Sequence, residues 1–259
     1  MADLEPLLRF WRAMDGLFDR ITPTRWGAVV SDRRFPAVQE ANYARVESAR
    51  PVDLDEVEAE LFPALAQAGC TRAHGVIFAP EEQTELITQA STRGERVTWD
   101  LVMGHAGSDP PQGRAGPDRV EEVLTFDDAF WAAHRASDRL FGATGDELLD
   151  QLSEMERLVL VPAGRRWFVV RGVGGTPVAF AALMVLEGIG FVDHILTLPD
   201  ERRRGHATAL TRRVLREARD AGAERTYLLA EPDGPPAGMY ARLGFEPVGH
   251  LASWFSPIP

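Results

Sequence analysis

Nineteen residues, Val192 to Leu210, constrain this chain more than any others: VDHILTLPDERRRGHATAL. The branched apolar run Ile195 to Leu198 halts at Pro199, as a buried strand does where it leaves a sheet. Three arginines follow, then Gly205-His206-Ala207-Thr208, then apolar positions at Ala209, Leu210, Val214, Leu215 and Ala218 spaced for one face of a helix. A strand that passes through a tight loop into an amphipathic helix must lay that helix against its own sheet, so an α/β layering is predicted. The loop leaves the first N–H groups of the helix unpaired, with the positive end of the helix dipole behind them. That suits an anion, and a phosphate or pyrophosphate is the natural one. Gly205 and Ala207 keep side chains clear of a ligand against the backbone, and Arg203 and Arg204 add positive charge. On spacing alone, an ordinary strand-to-helix turn with solvated arginines fits as well.

The formal net charge is −11, and outside Arg202 to Arg204 there is no long basic run. Nucleic acid is therefore excluded as the expected partner, because binding its backbone needs clustered positive charge. An acidic chain accommodates a cationic amine. Cys70 is the single cysteine, which rules out an internal disulfide and a cysteine-rich metal site, and it is expected to be a small buried hydrophobe. No apolar run approaches the length of a membrane span, and the opening residues lack a basic leader and a cleavage site. The cytoplasm is the expected location, with no membrane partner.

Along the chain, Leu4, Leu7, Leu8, Trp11, Met14, Leu17, Phe18 and Ile21 recur at helical spacing. They predict an amphipathic helix with one face buried on the rest of the chain or on a second copy of it, a homodimer. Strands are predicted at 26–30, 41–46, 75–78 and 96–103, with helices after Pro51 and Pro80. The Gly- and Pro-rich stretch from Gly104 to Asp118 reads as a linker, with His105 solvated at its edge. The expected division is a first domain over 1–105, a linker over 106–118 and a second domain over 119–259. In the second, the expected elements are a strand at 120–124, two helices (the first capped at Thr125 to Asp128, the second at 146–155), and a hairpin turning at Gly172 to Thr176. Phe130, Trp131, Phe141 and Met155 are candidates for the core, and His134 is expected to be packed or exposed without chemistry.

Arg202-Arg203-Arg204-Gly205-His206-Ala207 resembles the Arg/Gln-x-x-Gly-x-Gly/Ala signature of the GCN5-related N-acetyltransferase (GNAT) family. Leu196-Thr197-Leu198-Pro199 is similar to the family strand that precedes it, and Met239 to Phe245 to its late Tyr-x-x-x-Gly-Phe segment. The resemblance covers residues 119–259. It implies the GNAT fold, an α/β (α+β) arrangement with a central mixed, mostly antiparallel sheet flanked by helices. The order strand, helix, strand, helix, strand before Gly104 repeats the order after Val192, so a tandem arrangement with a partial, degenerate N-terminal copy is expected. In that copy, Glu47 to Asp55 stands where the phosphate loop would be. It has no glycine, has Pro51, and carries the acids Glu47, Asp53 and Asp55.

The resemblance further implies acetyl transfer from acetyl-coenzyme A to the primary amine of a small molecule, without a metal. It places the cofactor arm on the backbone of Leu196, Thr197 and Leu198, and the pyrophosphate on Arg203, Arg204, Gly205, His206, Ala207 and Thr208. Tyr240 stands where the family's acid protonates the leaving sulfur. For the base, Asp193, His194 and Glu231 are candidates, with His194 favoured for its near-neutral ordinary pKa; water alone is a fourth option. Asp233 stands where many members have an asparagine that touches the cofactor. A protein or peptide N-terminus as acceptor, and an acyl-CoA-binding regulatory module without turnover, are the alternatives. The chain has no lysine, which excludes lysine self-acetylation.

Overall fold

The computed structural model describes residues 4–107 and 120–259. In chain order the elements are α1 (Glu5–Asp15), β1 (Arg20–Pro23), β2 (Gly27–Ser31), β3 (Tyr43–Val46), α2 (Leu54–Ala68), β4 (Arg72–Ile77), α3 (Thr84–Thr92), β5 (Arg96–His105), β6 (Val120–Glu122), α4 (Asp128–Leu140), α5 (Asp146–Met155), β7 (Arg166–Arg171), β8 (Pro177–Leu186), β9 (Ile189–Thr197), α6 (His206–Asp220), β10 (Arg225–Ala230), α7 (Pro235–Ala241) and β11 (Glu246–Pro257). They form two compact units, Met1–Val102 with Val248–Pro259, and Met103–Pro247. The expected linker falls outside the described residues from 108 on, while Gly104 and His105 end β5.

In the first unit the strand order is β1-β2-β3-β4-β11-β5. Strand β3 runs parallel to β4, and α2 connects them. Asp53 caps α2 by accepting from the Asp55 N–H at 2.9 Å, and Gly69 closes it in the left-handed region at φ 88°. The last strand, β11, joins this unit and lies antiparallel to β4, with Trp254 opposite Gly75. This differs from the division expected from the sequence, in which all residues from 119 onward belong to the second domain. What brings β11 here is packing: a β-carbon on Gly75 would lie 1.9 Å from the Trp254 ring, so the missing side chain is the slot that the indole fills. Alternating hydrophobicity shows that a strand exists but not which sheet it joins.

Helix α1 is shorter than its apolar periodicity. It ends at Gly16, and Ile21 lies exposed in β1. Its apolar face is buried inside the first unit, with Leu7 and Phe10 inaccessible and Trp11 edge-on to Phe78 at 5.2 Å. Cys70 is buried, as expected, and burial pushes its thiol up to about 11.

The second unit has the order β10-β9-β8-β7-β6, antiparallel except for β9 with β10. A two-residue turn at Glu187 (φ 52°) and Gly188 (φ 71°) joins β8 to β9, both residues left-handed as a tight hairpin requires. Asp127 caps α4 by accepting from the Phe130 N–H at 2.7 Å. Phe130, Trp167, Val169, Phe180 and Ala182 form a core beneath α4 that reaches Leu196. Phe130 and Trp131 belong to this core and Met155 is buried, while Phe141 is half exposed. His105 and His134 are both buried, against the expectation that His105 is solvated. His105 packs on Phe245 at 5.3 Å, and its Nδ1 accepts from the Gly107 N–H at 3.2 Å.

Candidate active site

Strands β9 and β10 pair only from Ile189–Arg225 to Phe191–Tyr227, although β9 continues to Thr197 and β10 to Ala230. Beyond Phe191 their ladders part. On the other side of β9, pairing with β8 slips between Ala182–Asp193 and Phe180–Leu196, so two residues of β9, His194 and Ile195, face the single Ala181. That is a β-bulge, and His194 holds it in the left-handed region at φ 54°.

The alternation of backbone groups in an antiparallel pair decides which ones face the gap. The Leu198 N–H donates to the Val178 carbonyl at 2.9 Å, and Leu196 lies in the same phase, opposite Phe180. Of the three residues expected to hold a cofactor arm, Thr197 therefore turns its N–H and carbonyl toward the gap, while Leu196 and Leu198 turn theirs to β8. The Thr197 carbonyl accepts from Arg202 Nε at 3.2 Å, and its buried hydroxyl has no partner among the described residues.

The loop after β9 passes through one tight turn at Pro199–Glu201, then takes left-handed conformations at Arg203 (φ 66°) and Gly205 (φ 84°) before α6 starts. The Ala209 N–H donates to the Gly205 carbonyl at 3.0 Å; among the described residues none of the N–H groups from Arg203 to Thr208 reaches a backbone carbonyl. With the α6 dipole behind them, these groups are chemically suited to take an anion. Arg204 pairs with Glu201 at 2.9 Å and Arg203 is exposed. His206 is buried under the turn, its Nε2 3.5 Å from Glu201.

The corresponding loop of the first unit differs on both counts. Strands β3 and β4 stay paired to Val46–Ile77, and the Phe78 N–H then donates to the Val46 carbonyl at 2.9 Å, so no gap opens. The amides leading into α2 are occupied by the unit's own side chains. Gln83 accepts from the Val52 N–H at 2.9 Å, Gln89 from the Leu54 N–H at 2.8 Å and Asp53 from the Asp55 N–H.

Tyr240, on α7, is buried, its ring 5.9 Å from that of Phe245. Burial, and after it the charge of Asp193, push its phenol up to about 12. It is therefore a neutral proton donor throughout the physiological range. The Asp193 side chain is half exposed. It accepts from Arg165 Nη2 at 3.0 Å and from the His194 N–H at 2.7 Å. Arg165 is itself buried between Asp193 and Glu156, the latter 3.3 Å from its Nε. Glu231 is exposed at the end of β10, and Asp233 is exposed just beyond it.

His194 is placed otherwise than the sequence suggested. Its ring is turned into the interior, 4.9 Å from Trp167 and 4.7 Å from Phe141, and Nε2 lies 2.7 Å from the Ser137 hydroxyl. Ser137 donates to the His134 carbonyl, so it accepts from His194, which is neutral with its proton on Nε2. Burial first, then neighbouring His134 and Arg165, hold its pKa well below the usual value. The positive φ accounts for the difference: the bulge rotates His194 out of simple alternation, and Asp193 keeps the accessible carboxylate. The sequence reading missed Arg165, Glu156 and Ser137. Their partners lie far away in the chain, and the i, i+4 pair His134 and Asp138 was the only local signal.

The family model described as Acetyltransferase (GNAT) family matches residues 126–245. A search of the curated proteins finds no match. Among solved structures, a functionally unknown conserved protein from Staphylococcus epidermidis superposes with a TM-score of 0.73 at 13% identity, covering 93% of this chain and 94% of that one. A GCN5-related N-acetyltransferase from Kribbella flavida gives 0.55 at 21% identity, over 82% and 81%. A tandem GNAT protein from the clavulanic acid biosynthesis pathway gives 0.54 at 14%, over 79% and 70%. These likenesses concern the fold. Among the described residues no helix is long and apolar enough to cross a membrane. The gap, the loop before α6 and the segment that matches the Acetyltransferase (GNAT) family model, residues 126–245, coincide within one unit.

Proposed function

We propose that the second unit transfers an acetyl group from acetyl-coenzyme A to the primary amine of a small molecule, in the cytoplasm. The observation that carries this reading is the alignment of the β9–β10 gap with the free N–H groups of Arg203 to Thr208. When bound, acetyl-coenzyme A supplies the acetyl group as a reactive thioester.

This chain's residues have four tasks. The Thr197 backbone, at the open edge of β9, holds the pantetheine arm as a further strand would. The amides of Arg203 to Thr208 hold the pyrophosphate. Tyr240 gives its proton to the departing sulfur as the C–S bond breaks and the C–N bond forms. Asp193 draws the ammonium to the mouth of the gap, and water there carries away the proton that the amine must lose. Arg165 holds the Asp193 carboxylate in place, which contributes through positioning. The half-exposed ring of Phe141 offers the acceptor an apolar wall beside it. The first unit, with a closed strand pair and occupied amides, is a degenerate copy without cofactor.

Calorimetric titration of acetyl-coenzyme A into the wild type, Gly205→Ala and Gly205→Glu tests this. Both variants carry a β-carbon at a left-handed position, but only glutamate adds bulk and negative charge to the loop before α6. Micromolar binding by the wild type, weakened in Gly205→Ala and lost in Gly205→Glu with the circular dichroism unchanged, is expected. No binding by the wild type overturns the reading. Binding that survives in Gly205→Glu moves the cofactor away from this loop.

A further inference from the structure

Behind the bulge, on the face of β9 covered by α4, His134, Asp138 and His194 bring three ligand atoms within 4.8 Å of one another. His134 and Asp138 are one turn apart on α4, and His194 comes from the bulge. His134 Nδ1 is 3.0 Å from Asp138 Oδ2, and His194 Nε2 is 3.8 Å from Asp138 Oδ1. Zinc held tetrahedrally at about 2.0–2.1 Å sets its ligand atoms about 3.3–3.4 Å apart; the three ligand atoms here, within 4.8 Å of one another, reach that spacing by drawing together through side-chain rotation.

Two features point to a ligand here. His134 is 2% exposed and Asp138 5%, yet both ring nitrogens of His134 and Oδ2 of Asp138 lack a hydrogen-bond partner among the described residues. The 3.0 Å approach between the two is thus a close contact without hydrogen-bond alignment. Buried polar groups are ordinarily satisfied, so His134 Nδ1 and Asp138 Oδ2, both orphaned and 3.0 Å apart, mark a position where something binds. The chemistry of the set is also specific. Two imidazoles with one carboxylate suit a borderline transition cation such as Zn²⁺, whereas magnesium and calcium take oxygen.

We infer that His134, Asp138 and His194 form a binding site for a divalent transition-metal ion, Zn²⁺ foremost, which ties α4 to the bulge of β9. Ser137, whose hydroxyl touches His194 Nε2, releases that nitrogen when the ion enters and remains bonded to the His134 carbonyl. The family resemblance implies a reaction without a metal, and these three residues form no recognisable ligand motif until the bulge turns His194 inward. The inference is independent of acetyl transfer, because the three ligands lie behind the strand rather than in the gap.

The test uses the full chain, stripped with chelator and titrated with ZnCl₂, with bound metal counted by mass spectrometry after desalting. About one equivalent retained by the wild type is expected, together with a higher melting temperature and, with cobalt, the intense visible bands of a tetrahedral site. His134→Gln and Asp138→Asn should retain none and show no thermal shift. A wild type that keeps no zinc and shows no cobalt bands overturns the site whether or not the variants fold. So does a folded His134→Gln that retains zinc as the wild type does.

Discussion

Arg165 Nη2 donates to Asp193 Oδ2 at 3.0 Å, while the Nε of the same guanidinium lies 3.3 Å from Glu156. One buried cation thus joins an exposed carboxylate at the gap to a buried one that also accepts from Trp167 Nε1 at 3.0 Å. Arg165→Met leaves the buried Glu156 without its cation, and such a loss costs about 3–5 kcal/mol. Denaturant unfolding should register that loss. Asp193→Asn, at the exposed end, should cost less than about 1 kcal/mol while lowering the acetylation rate.

Tyr240→Phe removes the phenol without altering the ring. If Tyr240 protonates the leaving sulfur, kcat falls about 100-fold or more, while affinity for acetyl-coenzyme A stays within a factor of two or so, because the phenol acts in the transition state. With the phenol raised to about 12, the wild-type pH–rate profile should show no downward limb from it below about pH 11. Equal activity in the variant, measured by thiol release, would remove Tyr240 from the chemistry.

In the first unit, Asp15 is inaccessible, bonded to the Tyr43 hydroxyl and paired with Arg45 at 3.1 Å. Burial outweighs Arg45 and pushes its carboxyl up to about 6. The folded state then binds more protons than the unfolded state between about pH 4 and 6. This group's stabilisation is therefore full at the acid end of that window and is lost as pH rises through it, by on the order of 2–3 kcal/mol. Asp15→Asn should flatten that slope in a series of urea melts.

Gly75→Ala places a methyl 1.9 Å from the Trp254 ring, and backbone on both strands must move to admit it. Overpacking of this kind costs about 1–3 kcal/mol. Thermal unfolding should show the loss, and Trp254→Leu in the same chain should recover part of it.

Much of this was legible in residue order. The apolar run to Thr197, Pro199, Gly205 and the amphipathic face of α6 specify a strand, a loop and a helix by local chemistry alone, and the structure has all three there. The edge that Thr197 presents and the inward turn of His194 were not legible, because both follow from a one-residue slip against β8. No periodicity encodes such a slip. Asp193 and Arg165 are 28 residues apart and meet only when β7, β8 and β9 are aligned. Strand β11 was visible as a strand, but its partner depended on the absence of a side chain at Gly75, about 180 residues earlier.

The pairing of β11 with β4 also sets an order of assembly during synthesis. Residues 103–247 contain every strand and helix of the second unit, so that unit has its whole sequence before the first has its own. Until Trp254 leaves the ribosome, the slot at Gly75 and one edge of β4 stay open, and the first hundred residues wait as an unfinished sheet. Loop closure over that separation is slow, and the exposed edge is available to other strands in the meantime. The nascent chain therefore spends its most aggregation-prone interval with the second unit complete and the first still dependent on residues 248–259.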